Sequence, residues 1–250
     1  MLLAAVEYAR PTSLADALAA LGRSENARAL AGGQTLINVM KARAAQPDLL
    51  VDLADVAELR GISESSGSLE IGAMTTYSQL MDSSDVFGTR PVLSRVAGEI
   101  ADVQVRNRGT IGGNVCLSDP TNHFPPLMVS MNASFTIVGP SGERTVNAGE
   151  FFQGVYITAV EPGELLTKIT IPPAQGDGFA AVTIGKDGTC IVNAAATRNG
   201  ETRFAIGCVG AVPVTSLDDI DPPSDVHGSA EYRRHLAKIL VDRAIAEAGG

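Results

Sequence analysis

The sequence predicts an α+β chain. Three observations carry this: a compact βαβ-like pattern at the start, a strong β-hairpin signal near the middle, and three strands followed by one long helix at the end. In chain order, residues 12–22 read as a capped helix. Thr12 or Ser13 can cap it, Leu14, Leu18 and Leu21 share one face, and Gly22 stops it. Ala27 to Leu30 is a short strand, Thr35 to Arg43 is apolar at helical spacing, and Leu49 to Leu53 is a second buried strand. Ser68 to Ala73 alternates as a strand does, while Tyr77 to Ser83 and Pro91 to Glu99 read as helices. Apolar stretches at 134–138 and 144–146 flank Gly139-Pro140-Ser141-Gly142, a hairpin. Leu165 to Ile171 is a strand closed by Pro172-Pro173. That pair, with Gly176-Asp177-Gly178, marks the best domain boundary. Strands at 179–185, 190–198 and 203–211 and a helix over 229–247 complete the chain.

Composition narrows the function classes. The chain has 250 residues with 45% hydrophobic and 19% charged content, as in an ordinary globular protein. A net charge of -9 and only 4% aromatic residues argue against nucleic acid as a partner. No run is long and apolar enough for a membrane span, and the N-terminal residues lack the basic region of a targeting segment, so a cytoplasmic protein is expected. Cys116, Cys190 and Cys208 are too widely spaced for a disulfide framework or an iron–sulfur site and read as reduced core thiols. No nucleophile–base pair or metal constellation emerges.

Two glycine pairs carry the functional signal: Ala31-Gly32-Gly33-Gln34-Thr35 and Thr110-Ile111-Gly112-Gly113-Asn114. A Gly-Gly step permits positive φ and leaves no Cβ in the way of a ligand, so successive N–H groups can hold an anion such as a pyrophosphate. One such pair is more often a plain turn. Two, each followed by an apolar run, point to a pyrophosphate gripped from two sides.

Together with Arg106-Asn107-Arg108-Gly109 before the second pair, Ser118-Asp119-Pro120 after it, and the tail Ser224-Asp225-Val226-His227-Gly228-Ser229-Ala230-Glu231-Tyr232-Arg233-Arg234, these motifs resemble the FAD-binding medium subunit of the molybdenum hydroxylases. That family includes carbon monoxide dehydrogenase and the flavin domain of xanthine dehydrogenase. The resemblance covers nearly the whole chain. It implies a two-lobed FAD-binding domain of the PCMH type, with lobes over 1–55 and 56–173, followed by a smaller α+β domain over 174–250. It also implies FAD extended between the lobes with its pyrophosphate on the glycine motifs.

Carried over by position, the resemblance assigns Leu30, Ala31, Gly32, Gly33, Gln34, Thr35, Leu36 and Ile37 to the first FAD loop. Thr110, Ile111, Gly112, Gly113 and Asn114 form the second, Asn114 bonding through its side chain. Ser118 and Asp119 fall by the adenosine or ribityl end, and Ile100 and Leu166 near the isoalloxazine. His123 stands where many members carry an Asp that contacts the cofactor, although beside Phe124 and two prolines it reads as structural. Lys186 matches a basic residue near the flavin, and the stretch between Val214 and Asp225 is shorter than in many members. Arg106 and Arg108 read as solvated or partner-facing.

The implied function is electron transfer. Substrate is oxidised at a molybdenum cofactor on a large subunit, two [2Fe-2S] clusters on a small subunit relay the electrons, and this chain's FAD passes them to an external acceptor. The implied assembly is a dimer of heterotrimers. The competing readings are a stand-alone FAD-dependent oxidoreductase of related fold, which needs acid–base residues the sequence does not display, and an assembly module without cofactor.

Overall fold

The computed structural model describes residues 2–185 and 188–249. The first layer is a parallel sheet in the order β1-β3-β2, from β1 (Glu7–Ala9), β2 (Ala27–Leu30) and β3 (Leu49–Asp52). Between β1 and β2 runs α1 (Leu14–Leu21), capped by the Ser13 side chain accepting from the Asp16 N–H and ended at Gly22. Between β2 and β3 runs α2 (Leu36–Lys41). Ala17, Leu21, Leu49, Val51 and Leu53 form this lobe's core, and Leu59, Met74 and Leu165 from the next lobe complete it.

The second lobe is an antiparallel sheet in the order β4-β5-β10-β6-β7. Its chain order is β4 (Ile62–Ser65), β5 (Ser68–Gly72), α3 (Tyr77–Asp82), α4 (Ser84–Thr89), α5 (Pro91–Gly98), α6 (Val103–Arg106), α7 (Ile111–Leu117), α8 (Phe124–Ser130), β6 (Ser134–Gly139), β7 (Gly142–Asn147), α9 (Ala148–Phe151), β8 (Phe152–Gly154), β9 (Ile157–Thr158) and β10 (Leu165–Ile171). β4 and β5 turn on Ser66 and Gly67, both at positive φ as a type I′ hairpin requires. α3 is opened by a capping box between Thr76 and Gln79. Sheet residues Leu69, Ile71, Phe135, Ile137 and Ile169 and helix residues Leu80, Leu93, Val96, Ile111, Phe124 and Leu127 share one fully buried cluster.

The third unit is the expected three-stranded antiparallel sheet, β11 (Gly176–Thr183), β12 (Cys190–Asn199) and β13 (Glu201–Gly207), backed by α10 (Ala230–Glu247). The tail motif opens α10. Ser229 caps it, and Asp225 accepts from the N–H groups of His227 and Gly228 while pairing with the buried Arg233. Arg90, 1% exposed, pins this unit to the second lobe through Asp177, 6% exposed, with Nε to Oδ2 at 2.6 Å and Nη2 to Oδ1 at 2.7 Å. The Thr197 hydroxyl adds a third bond to Asp177 at 2.7 Å. No helix among the described residues is long and apolar enough to cross a membrane.

Three sequence expectations change. Gly176-Asp177-Gly178 is itself the start of β11, three residues ahead of the strand expected at 179–185. A Cβ at Gly178 would stand 2.0 Å from the Ala244 carbonyl oxygen, and one at Gly176 2.2 Å from that of Ala248. These glycines therefore let α10 lie against the strand. The third strand ends at Gly207 instead of residue 211, because Cys208 turns to φ +66. The second glycine pair lies in the first turn of α7, with both glycines outside the positive-φ region.

Candidate functional site

The first glycine motif links β2 to α2. Leu30 ends the strand, Gly33 takes φ +72, and Thr35 opens α2 without using its side chain as a cap. None of the backbone N–H groups from Ala31 to Leu36 has a hydrogen-bond partner among the described residues. The Gln34 amide turns back on the Gly32 carbonyl at 3.2 Å, and the Asn38 amide takes the Gln34 carbonyl at 2.8 Å, while Ile37 donates to the Gly33 oxygen. The carbonyls are thus engaged and the N–H groups are free. A run of free N–H groups at the start of a helix is an anion cradle.

The second motif is built differently. Ile111 donates to the Thr75 oxygen at 3.0 Å, Gly112 to the Ala73 oxygen at 2.9 Å, Gly113 to the Thr110 hydroxyl at 3.1 Å and Asn114 to the Thr110 oxygen at 3.0 Å. Its N–H groups are therefore taken. Gly112 is a close-approach glycine: a Cβ there would stand 2.5 Å from the Ala73 oxygen. What this motif exposes is Gly113. Asn114 is 8% exposed, donates through Nδ2 to the Tyr77 hydroxyl at 2.9 Å, and leaves Oδ1 without a partner.

The two motifs meet. A Cβ at Gly32 would lie 2.1 Å from the Arg108 carbonyl oxygen and 2.9 Å from the Gly109 Cα, and one at Gly113 would lie 3.7 Å from the Ala31 Cβ. A cradle of free N–H donors thus lies directly against the segment that leads into α7, backbone on backbone. This donor set suits an extended dinucleotide, since the cradle complements a pyrophosphate.

The other expected residues divide into two groups. Ser118 ends α7 at φ 49, buried, with its hydroxyl on the Gly154 carbonyl at 2.9 Å and its own carbonyl accepting from the Tyr156 N–H at 3.0 Å. Asp119 follows with Oδ1 accepting from the Thr121 N–H at 2.9 Å and hydroxyl at 2.8 Å. It also raises the Tyr156 phenol through its negative charge. Ile100 is half-buried against the second lobe's core and sits on a turn clamped by Arg106, whose Nη1 bonds the Ile100 and Ala101 carbonyls at 2.9 and 2.6 Å. That structural task for Arg106 was not readable from sequence. Leu166 is buried in the same core, within β10.

His123 faces the third unit. Its buried ring stands edge-on to Phe179 at 5.2 Å, and Nδ1 accepts from Asn193 Nδ2 at 3.1 Å. Lys186 lies outside the described residues. Cys190 and Cys208 are buried, the Cys190 thiol donating to the Val182 carbonyl at 3.7 Å; their proximity lowers the Cys190 thiol and raises that of Cys208, and burial pushes the Cys116 thiol up to about 12.

Comparisons with known proteins agree with this geometry. Residues 4–174 match the family described as the FAD binding domain in molybdopterin dehydrogenase. The chain is 39% identical over 276 residues to the carbon monoxide dehydrogenase medium chain of Afipia carboxidovorans, covering 97% of this chain and 96% of that one. It is 29% identical to the xanthine dehydrogenase FAD-binding subunit of Escherichia coli, covering 97% of each. Its fold superposes on reconstituted CO dehydrogenase from Oligotropha carboxidovorans with a TM-score of 0.94 at 35% identity, covering 99% of both chains. A cradle for an anion, a close approach of two glycine motifs and these likenesses converge on one conclusion: the chain belongs to the family of FAD-binding domains of molybdopterin dehydrogenases, as an FAD-binding medium subunit of the molybdenum hydroxylases.

Proposed function

We propose that this chain is the electron-transferring flavoprotein of a heteromeric molybdenum hydroxylase, and that FAD lies across its two glycine motifs. The observation that carries the reading is the run of unpartnered N–H groups from Ala31 to Leu36 facing the second motif. Those donors hold the pyrophosphate, Gly33 gives the cradle its curvature, and Gly113 lets the ligand pass close to α7. Ser118 and Asp119 border the adenosine or ribityl end, with Ile100 and Leu166 on the isoalloxazine side and Lys186 a further flavin neighbour. His123 acts by seating the C-terminal unit, through Asn193 and Phe179. The lobes in this reading are 1–55 and 56–173, with the C-terminal domain over 174–250.

When bound, FAD supplies the redox chemistry by taking up electrons and releasing them to an external acceptor. The protein's own contribution is binding, orientation and exclusion of side reactions. Medium chains by name sit beside other chains, and the carbon monoxide and glyceraldehyde dehydrogenases among the relatives carry that name. The partners here are a large subunit with the molybdenum cofactor and a small subunit with two [2Fe-2S] clusters, arranged as a dimer of heterotrimers in the cytoplasm. The test is native mass spectrometry of the complex, followed by flavin absorbance after adding a reduced iron–sulfur partner. Bleaching of the flavin band is expected. Steady turnover of a small organic substrate by the pure chain with FAD alone would overturn the reading in favour of a stand-alone oxidoreductase.

A further inference from the structure

We infer that Cys190 and Cys208 form a redox-active dithiol that hydrogen peroxide closes to a disulfide within the C-terminal unit, at its seam with the second lobe. The inference stands apart from the proposed FAD seat and holds whether or not flavin is bound. Two features of the sheet bring the thiols together. The first is a bulge in β12: Val182 pairs with Val192 and Thr183 with Cys190, so Ile191 is an extra residue. Ile191 and Val192 both pack in the cluster under α10. The alternation is thereby broken, and Cys190 comes onto the face of Asn193, toward the second lobe. The second is the end of β13. Gly207 pairs with Asn193, so Cys208 leaves the ladder beside Val192. It turns to φ +66 and gives its N–H to the Pro120 carbonyl at 3.1 Å. Both thiols are buried, at 3% and 5% exposure, at a seam where the Asn193 amide also reaches the Asn122 carbonyl at 3.2 Å and the His123 ring at 3.1 Å.

The surroundings give the two sulfurs different tasks. Cys208 first, and then the His123 ring, hold the Cys190 thiol below the ordinary thiol range although burial opposes them. Cys190 and burial hold the Cys208 thiol above that range. Cys190 is therefore the thiolate that attacks, and Cys208 the thiol that resolves. A cavity of about 10 Å³ beside Cys208, lined by Pro120, Pro125 and Gly207 among others, has room for a water-sized molecule, which favours peroxide over a bulky disulfide as the oxidant. Attack of Cys190 on one peroxide oxygen breaks the O–O bond, leaves a sulfenic acid and releases hydroxide, which takes up the proton that Cys190 had shed. Cys208 then attacks the sulfenic sulfur; the S–O bond breaks, and the hydroxyl leaves with the Cys208 proton as water. In sum, two thiols and one peroxide give one disulfide and two waters, with two electrons passing from sulfur to oxygen.

The experiment treats the native full chain with a small molar excess of hydrogen peroxide, unfolds it in an alkylating agent to block the remaining thiols, and maps the cysteines by mass spectrometry without reduction. A peptide pair joined through Cys190 and Cys208 is expected, with Cys116 recovered alkylated. Dithiothreitol is expected to open the bridge and restore both thiols. Cys208→Ser removes the resolving thiol, so Cys190 is expected to stop at the sulfenic acid and be trapped by dimedone. Cys190→Ser is expected to slow oxidation of Cys208 at least about tenfold, because the thiol that remains is the protonated one. The wild-type map decides the matter even where a serine variant fails to fold. Oxidation of Cys116 ahead of the pair, conversion of Cys190 to sulfinic acid without a bridge, a bridge that forms only in urea, or no oxidation of the native chain would each overturn the inference.

Discussion

Replacing Asp177 by Asn is expected to unfasten the C-terminal unit from the second lobe. The carboxylate accepts two charge-assisted bonds from Arg90 and one from the Thr197 hydroxyl, all between 2.6 and 2.7 Å. Both charged side chains are nearly inaccessible, at 1% and 6% exposure. The amide keeps the shape but removes the negative charge and turns an N–H₂ toward a donor. Arg90 then retains a buried positive charge with only neutral acceptors, the Pro172 carbonyl and the single amide oxygen left at 177. Breaking a buried pair from one side costs about 3–5 kcal/mol. At about 2–4 °C per kcal/mol for a chain of this size, the melting temperature falls by about 6–20 °C. Circular dichroism melting of the full chain measures it. The pair Arg90→Met with Asp177→Leu is expected to recover most of the loss, because both desolvation penalties vanish together. A single Asp177→Asn variant that melts within about 2 °C of wild type would refute the reasoning and make the pair an incidental contact.

Three further outcomes are expected. Gly33→Val forces a β-branched residue into φ +72, at about 1–2 kcal/mol, so its FAD dissociation constant rises about five- to thirtyfold; Gly113→Val adds bulk where α7 already touches Ala31, and full flavin content in both variants would reduce the motifs to plain turns. FAD is held without a covalent link, since burial keeps the nearby Cys116 thiol protonated, so acid precipitation is expected to release all flavin into the supernatant. The Asp225 carboxyl is held below its ordinary 3.8, first by the His227 N–H and then by Arg233; its stabilising effect is complete above 3.8 and disappears as pH falls through the lower folded value, so acid melts should show a shallower decline for Asp225→Asn than for wild type.

Long or strongly patterned elements were legible in the sequence. β2, β10, β12 and α10 were read close to their observed bounds, and the β6–β7 hairpin from Gly139 to Gly142. Short ones were not. β1 is three residues without an apolar run, and α4, α6 and α8 span four to seven residues whose helicity comes from packing, with Pro125 and Pro126 in α8 reading as breakers although prolines fit a helix's first turn. Glycine was the main source of error. The same residue type marks a positive-φ bend at Gly33, a backbone contact at Gly32, Gly112 and Gly178, and a hairpin end at Gly142. Sequence separates these uses poorly, because the atom that forbids a side chain belongs to a distant segment. For that reason the pairing of the two motifs was readable, but the contrast between free N–H groups in one and spent N–H groups in the other was not.

The contact between Gly32 and Arg108 gives the molecule an alignment gauge. The two backbones come from different lobes and touch with no side chain between them to absorb error. A packed joint of that kind transmits displacement directly. Any shift of the segment between α6 and α7 by a fraction of an ångström therefore changes the spacing of the N–H cradle while both sheets remain intact. Flavin retention is therefore expected to report how well the two lobes are registered, and to fail before the fold does.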